Sequence, residues 1–174
     1  MVPQNRSEQN HDFAIIPRMP ELPHTHSCFV CGENNPSGLK LRFHEEDGNV
    51  VTATFTPRPE HIGFQNVTHG GVLATVLDEI MVWACAVATK RFAYCAEMTT
   101  RFHQPAPPGE ELRVTSELTS NRRNKIFEAK ATILTANEKL VAEATGKYLP
   151  IKTDQVPAML QDVIGDISWI AGAE

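Results

Sequence analysis

Several features are missing from this chain, and each absence narrows its class. The longest uncharged apolar run, Ile80 to Ala88, is nine residues, too short to cross a bilayer. Positive charge is not in excess. With 16 Lys and Arg against 21 Asp and Glu, the net charge is −5 at pH 7, and such a balance does not suit a nucleic-acid binder. The stretch from Met1 to Asp12 lacks the apolar core of a secretory signal, so the expected location is cytoplasmic. No internal repeat or low-complexity segment is visible. Cysteine is sparse: Cys28, Cys31, Cys85 and Cys95 do not resemble a disulfide framework in 174 residues. Cys28-Phe-Val-Cys31-Gly32, with His24 and His26 just before it, has the spacing of half a zinc knuckle. A structural zinc usually takes four ligands, and no second C-x-x-C exists. The pair therefore reads as a tight turn with two reduced thiols, and no metal is expected.

What is present fits one globular domain: 41% hydrophobic and 21% charged residues in a chain long enough to bury a core. Residues 1–23 are polar and punctuated by Pro3, Pro17, Pro20 and Pro23, and read as an arm. Alternating Leu39, Leu41 and Phe43 predict a strand over Gly38–His44. The turn Glu46-Asp47-Gly48-Asn49 then leads into a second strand, Val50–Phe55. Apolar residues at 72/73, 76/77, 80/81, 83/84 and 87/88 predict a helix from about Gly70 to Thr89, enclosed on most sides. Four strands follow, Tyr94–Phe102, Leu112–Ser120, Ile126–Thr135 and Leu140–Leu149, separated by turn-forming residues. The order ββαββββ implies an α+β fold: a mainly antiparallel sheet around one long helix. Residues 24–152 form this domain. The tail, 153–174, carries Leu160, Val163/Ile164, Ile167 and Ile170 at the spacing of a short amphipathic helix.

Chemistry concentrates in His69-Gly70-Gly71-Val72-Leu73-Ala74-Thr75-Val76-Leu77-Asp78. Two glycines at a helix entrance let other atoms approach the backbone closely. The first turn offers free N–H groups and the positive end of the peptide dipole. Such a terminus suits an anion, or a carbonyl oxygen about to become one. Asp78 and Glu79 are the only charges from Val72 to Ala88, and an unpaired buried carboxylate costs several kcal/mol. Glu79, about 100° further round the helix, reads as structural or solvent-facing. Phe64, Met81 and Trp83 are candidates for an acyl pocket or for plain core, and Cys85 for core.

On these pieces the chain resembles the hotdog-fold acyl-CoA thioesterases of the phenylacetate-pathway and mammalian thioesterase-superfamily type. The likeness spans about Cys28 to Pro150. It rests on Cys-Phe-Val-Cys-Gly with Asn35-Pro36 and Gly38-Leu39, on His61 and Gly63, and on His69-Gly-Gly with Leu77-Asp78. It also rests on Arg101-Phe-His-Gln-Pro105 followed by Pro107-Pro-Gly-Glu110. The resemblance implies a hotdog fold and hydrolysis of an acyl-CoA thioester without a cofactor. It makes Gly70 the backbone N–H donor to the thioester carbonyl, and Asp78 the nucleophile or the base toward water. It places His69, Gly71, His61 and Cys95 around the substrate. Cys95 falls where the family has serine or threonine, and Gly63 where it has asparagine or glutamine. His61, Gln65 and Asn66 are the possible substitutes for the latter. These two departures keep a non-catalytic acyl-CoA binding module open as the rival. A hydratase or dehydratase, in which His69 would have to serve, ranks below both.

Arg122, Arg123 and Lys125 make the one dense basic cluster, at an expected hairpin tip suited to the phosphates of coenzyme A. Gly70 and Asp78 lie eight residues apart, about 12 Å along one helix, yet both must reach one carbonyl within about 3 Å. An antiparallel pair of helices solves this. The expectation is a homodimer, with further pairing to a homotetramer open, whose sites take Gly70 from one chain and Asp78 from the other. No nucleic acid or membrane partner is expected.

Overall fold

The computed structural model describes residues 20–171. Most of the expected arm, with Pro3 and Pro17, lies outside the described residues. The elements in chain order are β1 (His24–Thr25), β2 (Phe43–Glu46), β3 (Val50–Phe55), β4 (Ile62–Phe64), β5 (Val67–Thr68), α1 (Gly70–Thr89), β6 (Ala93–Phe102), β7 (Leu112–Arg122), β8 (Ile126–Thr135), β9 (Leu140–Pro150), α2 (Val156–Leu160) and β10 (Val163–Ile164). Six strands form one antiparallel sheet in the order β2-β3-β7-β8-β9-β6. The sheet curls around α1, which packs on five of those strands most closely. This is the hotdog arrangement that the sequence implied.

The long helix starts and stops for local reasons. His69 has extended backbone, and its ring accepts a hydrogen bond from Gly71 N–H, a side-chain cap. At the other end Lys90 turns left-handed (φ 58°) and its N–H closes on Ala86 O. Mean hydropathy over its best window is 1.8, so length and composition alone would allow a membrane span. The nine-residue run understates this helix, because two acids interrupt an otherwise apolar segment. Here the apolar face is spent on the sheet: Leu73, Val76, Leu77, Ile80, Met81 and Ala84 are all buried.

Two elements differ from the sequence reading. The strand expected from Gly38 begins only at Phe43. Leu39 and Leu41 are buried as their alternation suggests, but their N–H groups bond Phe29 O and Val30 O in the cysteine loop instead of the sheet. The tail helix occupies Val156–Leu160, not the 160–170 segment, and Val163–Ile164 instead pair with His24–Thr25. Gly165, at φ 113° against Pro23, needs a backbone that only glycine takes readily, and it breaks any helix through the segment.

The sheet receives the helix on small residues. Across β8 and β9, Ala129 faces Gly146, Ala131 faces Ala144 and Ile133 faces Ala142, while Phe127 faces Tyr148 at the end of the row. Gly146 is open because Tyr148 leans over it: a Cβ there would stand 2.6 Å from the tyrosine ring and 2.9 Å from its hydroxyl. The ring is fully buried and has nowhere to swing. Gly146→Ala should therefore destabilise the fold by about 1–3 kcal/mol from overpacking. The entropy that a Gly→Ala change withdraws from the unfolded chain, about 0.4–1 kcal/mol, does not offset that. Urea unfolding of the variant should show a lower midpoint at unchanged slope; an equal or higher midpoint would refute the packing argument.

Candidate active site

The helix entrance is built by mutual exclusion. His69 N–H bonds His61 O, and Thr68 N–H bonds Ala106 O. The Gly71 N–H is taken by His69 Nδ1 at 2.8 Å. That leaves Gly70, whose N–H has no acceptor among the described residues. The Phe102 ring lies over it, 3.2 Å from where a Cβ would stand. Gly70, His69, Phe64, Leu73, Phe102 and Pro105 are among the residues lining an apolar cleft of about 540 Å³. Phe64 is 83% exposed there. Met81 and Trp83 are core, the indole packing on Phe43 and Phe92.

Gly63 explains one departure from the family pattern. A Cβ on it would stand 2.9 Å from His69 Cδ2, so a side chain there would push away the cap of the helix. Gln65 and Asn66 sit exposed in the β4–β5 turn, Asn66 at φ 60°. His61 is 7% exposed and stacks on Phe55 with ring centres 5.9 Å apart. Its Nδ1 accepts from Arg58 N–H, and the Arg58 guanidinium lies 3.2 Å from its Nε2. The structure thus sets His61 behind the entrance, outside the cleft.

Asp78 sits two turns further along α1 and does not border the cleft. Its carboxylate accepts a hydrogen bond from Tyr148 Oη at 3.0 Å. Burial, reinforced by the Asp78 charge, raises the phenol well above its ordinary range, so the phenol stays protonated and donates. An O–H donor to a carboxylate is among the stronger hydrogen bonds a protein makes. Cys95 is directly opposite Tyr148 in the β6–β9 ladder, beside a bulge that ends at Glu97. Cys95 is exposed as a residue, yet desolvation of its sulfur and then the Asp78 carboxylate push the thiol up to about 11, which keeps it neutral. Cys85 is buried core. Sequence reasoning missed Tyr148. The available signal was an inward-facing tyrosine two residues after a glycine on one strand face.

Glu79 does not face open solvent. Its Oε1 lies 3.7 Å from Cys28 Sγ and 3.4 Å from Cys31 Sγ. Burial pushes this carboxylate up to about 7, with the Cys28 sulfur adding to the effect. The basic cluster is a hairpin tip as expected, with Arg123 and Asn124 both at positive φ (54° and 58°). Arg122 is the last residue of β7 and pairs with Glu128 at 2.7 Å. Asn121, Phe127 and Tyr148 share one row across β7, β8 and β9. Two strand spacings, about 10 Å, therefore separate the base of this tip from the tyrosine that holds Asp78.

The structure, then, gathers Asp78, Tyr148 and Cys95 in one place and Gly70, His69 and the apolar cleft in another. The fold class is the hotdog fold. Residues 65–142 match the model of the thioesterase superfamily. Among solved structures, a thioesterase superfamily protein is similar at 24% identity and TM-score 0.66, over 72% of this chain and 60% of that one. The chain thus spans less than two thirds of that relative's length. The PaaI protein of the E. coli phenylacetic acid degradation operon is similar at 22% identity and TM-score 0.61, over 66% and 81% of the two chains. The smu.793 protein of Streptococcus mutans, solved bound to acetyl-CoA, is similar at 16% identity and TM-score 0.59, over 64% and 88%. No curated protein matches the sequence significantly.

His61 yields a test of the entrance. Burial first, and then the Arg58 charge, lower its pKa, so the unfolded chain binds more protons once the pH falls below about 6.5. The contribution to stability is whole above that pH and is lost as pH drops toward the folded-state value. The His61→Gln variant should show a flatter fall in Tm between about pH 7 and 5 than the parent; parallel curves would contradict the buried neutral imidazole.

Proposed function

We propose that the protein hydrolyses an acyl-CoA thioester to the free acid and CoA. The observation that carries this is the pairing of an uncommitted Gly70 N–H at a helix entrance with a tyrosine-bound carboxylate, Asp78, on the same helix. The Gly70 N–H would receive the thioester carbonyl oxygen as it gains charge, a kind of donor worth about 2.7–4 kcal/mol of barrier. Asp78 then acts by one of two routes. It attacks the carbonyl carbon, expelling CoA as thiolate and leaving a mixed anhydride for water to open, or it takes the proton of an attacking water. Tyr148 is a positioning residue: its O–H fixes which Asp78 oxygen is free to react. The complex of the S. mutans relative with acetyl-CoA supports CoA as the carrier, and the tip bearing Arg123 and Lys125 suits its phosphates.

The two halves come together if the protein is a homodimer. β6 is an edge strand of ten residues, with Tyr94 and Phe102 exposed, a ready template for a second copy. Phe102 covers Gly70, and Cys95 adjoins Asp78. Antiparallel self-pairing of β6 about the Met98–Thr99 junction would set Cys95 opposite the partner's Phe102. That pairing carries each Asp78 toward the partner's Gly70. Further association to a tetramer is compatible with it.

Thiol release from a panel of acyl-CoAs tests the reading. Asp78→Asn should lower the rate by about 10²–10⁴, and Tyr148→Phe should lower kcat about tenfold or more with KM little changed, as expected for a lost hydrogen bond to a charged group. No enzyme-dependent thiol from any acyl-CoA would favour the binding-module reading, which the closed space at Gly63 motivates. Heavy oxygen from labelled water appearing in Asp78 after a single turnover marks the nucleophilic route, and its absence the water route. Mixing inactive Gly70→Pro and Asp78→Asn chains should restore about a quarter of parental activity through heterodimers with one intact site. Demonstrated heterodimers without recovery would overturn the shared site.

A further inference from the structure

We propose that Cys28, Cys31 and Glu79 form a binding site for a zinc-class divalent cation that ties the N-terminal cysteine loop to the central helix. The three ligand atoms lie within 4.8 Å of one another. Zn–S bonds of about 2.3 Å and Zn–O bonds of about 2.0–2.2 Å give a tetrahedron whose S···O edges are about 3.5 Å. The observed separations of Glu79 Oε1 from the two sulfurs are 3.7 and 3.4 Å. Both sulfur–oxygen edges thus match those of a tetrahedral site.

The loop has the shape such a site needs. Val30 N–H donates to Cys28 Sγ at 3.2 Å, a bond that favours a thiolate there. Gly32 N–H closes on Cys28 O at 2.9 Å. A Cβ on Gly32 would stand 2.1 Å from that same oxygen, so only glycine permits the turn. The Lys40 ammonium donates to the carbonyls of Gly32, Glu33 and Asn35, and Arg42 donates to that of Cys31. The loop is thus held in place by groups that do not touch the sulfurs.

Glu79 argues for a metal over a disulfide; in the metal-free chain both thiols donate to its Oε1. It stands on an apolar helix, and among the described residues it makes no ion pair with any cation. A disulfide would join the two sulfurs and leave this carboxylate with no compensating partner. A cation uses all three groups. Each thiol releases its proton to solvent on binding, so two thiolates and one carboxylate hold the dication at a net charge of −1. Water takes the fourth position. The sequence argument against zinc counted ligands within one motif; the third comes from 48 residues away.

The test uses the full chain, reduced and freed of metal, titrated with Co²⁺ alone and then Zn²⁺. The expected result is one Co²⁺ per chain, with a thiolate-to-cobalt charge-transfer band and ligand-field bands of a tetrahedral centre. Zn²⁺ should displace it, as it binds such sites more tightly, and should raise Tm. Cys28→Ser and Cys31→Ser should abolish the charge-transfer band. Glu79→Gln should weaken binding by about tenfold or more, since even an outer partner of a metal site is worth about 10–100-fold. Cys85→Ser, a control with its thiol elsewhere, should bind as the parent does. The proposal is overturned if the reduced parent takes up no Co²⁺. It is equally overturned if Cys28→Ser retains the band or Glu79→Gln binds unchanged. A chain isolated two hydrogens lighter, with Cys28 joined to Cys31 and no metal uptake after reduction, would also refute it. None of these readouts depends on thioester hydrolysis.

Discussion

The structure depends on one constraint: a twenty-residue apolar helix must be covered, and a single sheet has to cover it. Coverage brings the small residues of β8 and β9 under the helix. It also sends two adjacent acids, about 100° apart round the helix, to different surroundings: Asp78 to Tyr148 on β9 and Glu79 to the cysteine loop. Leaving either carboxylate buried and unpartnered would cost several kcal/mol. A hydrogen bond to a charged group returns only about 1.5–3 kcal/mol. Asp78 accordingly stays partly accessible while Tyr148 binds it. Glu79 turns to the cysteine loop, where two sulfurs stand within 3.7 Å. The acids are neighbours in sequence but belong to different environments.

The helix entrance follows from the same economy of space. Gly63 must lack a side chain because His69 fills its place, and His69 stands there because its ring accepts the Gly71 N–H. Once Gly71 is engaged, Gly70 carries the free donor. The double glycine therefore divides into one N–H that His69 caps and one that stays uncommitted. His61 supports the arrangement from behind through its carbonyl, which receives His69 N–H. Its buried ring serves to hold the turn that Arg58 and Phe55 also shape.

How much of this was legible in the sequence depends on the range of the interaction. The helix bounds, Gly70 and Thr89, follow from local periodicity and from the cap at His69, so the reading and the structure coincide. The hairpin tip at Arg123–Asn124 is likewise local. The tail misled because Leu160, Val163, Ile167 and Ile170 reach apolar surroundings from separate short pieces, and helical spacing arises there by coincidence. Leu39 and Leu41 alternate like a strand, but their N–H groups are answered by the cysteine loop. Tyr148 and Asp78, 70 residues apart, meet only once the sheet has wrapped the helix, and no spacing rule encodes that meeting. Glu79 with Cys31 is the same case.

The departure at Cys95 takes on a different meaning once the ladder is known. A hydroxyl on β6 at this level would stand beside the acid and donate to it. This chain has a thiol there, a weak donor. The strong donor comes instead from the residue directly opposite, Tyr148 on β9. Gly146 accommodates that longer side chain, since the ring needs the volume a Cβ would fill. The hydroxyl donor to the acid thus stands one rung across the sheet from Cys95, and Gly146 leaves it the room it needs. A phenol held protonated by burial supplies to Asp78 the hydrogen bond that a thiol would supply only weakly.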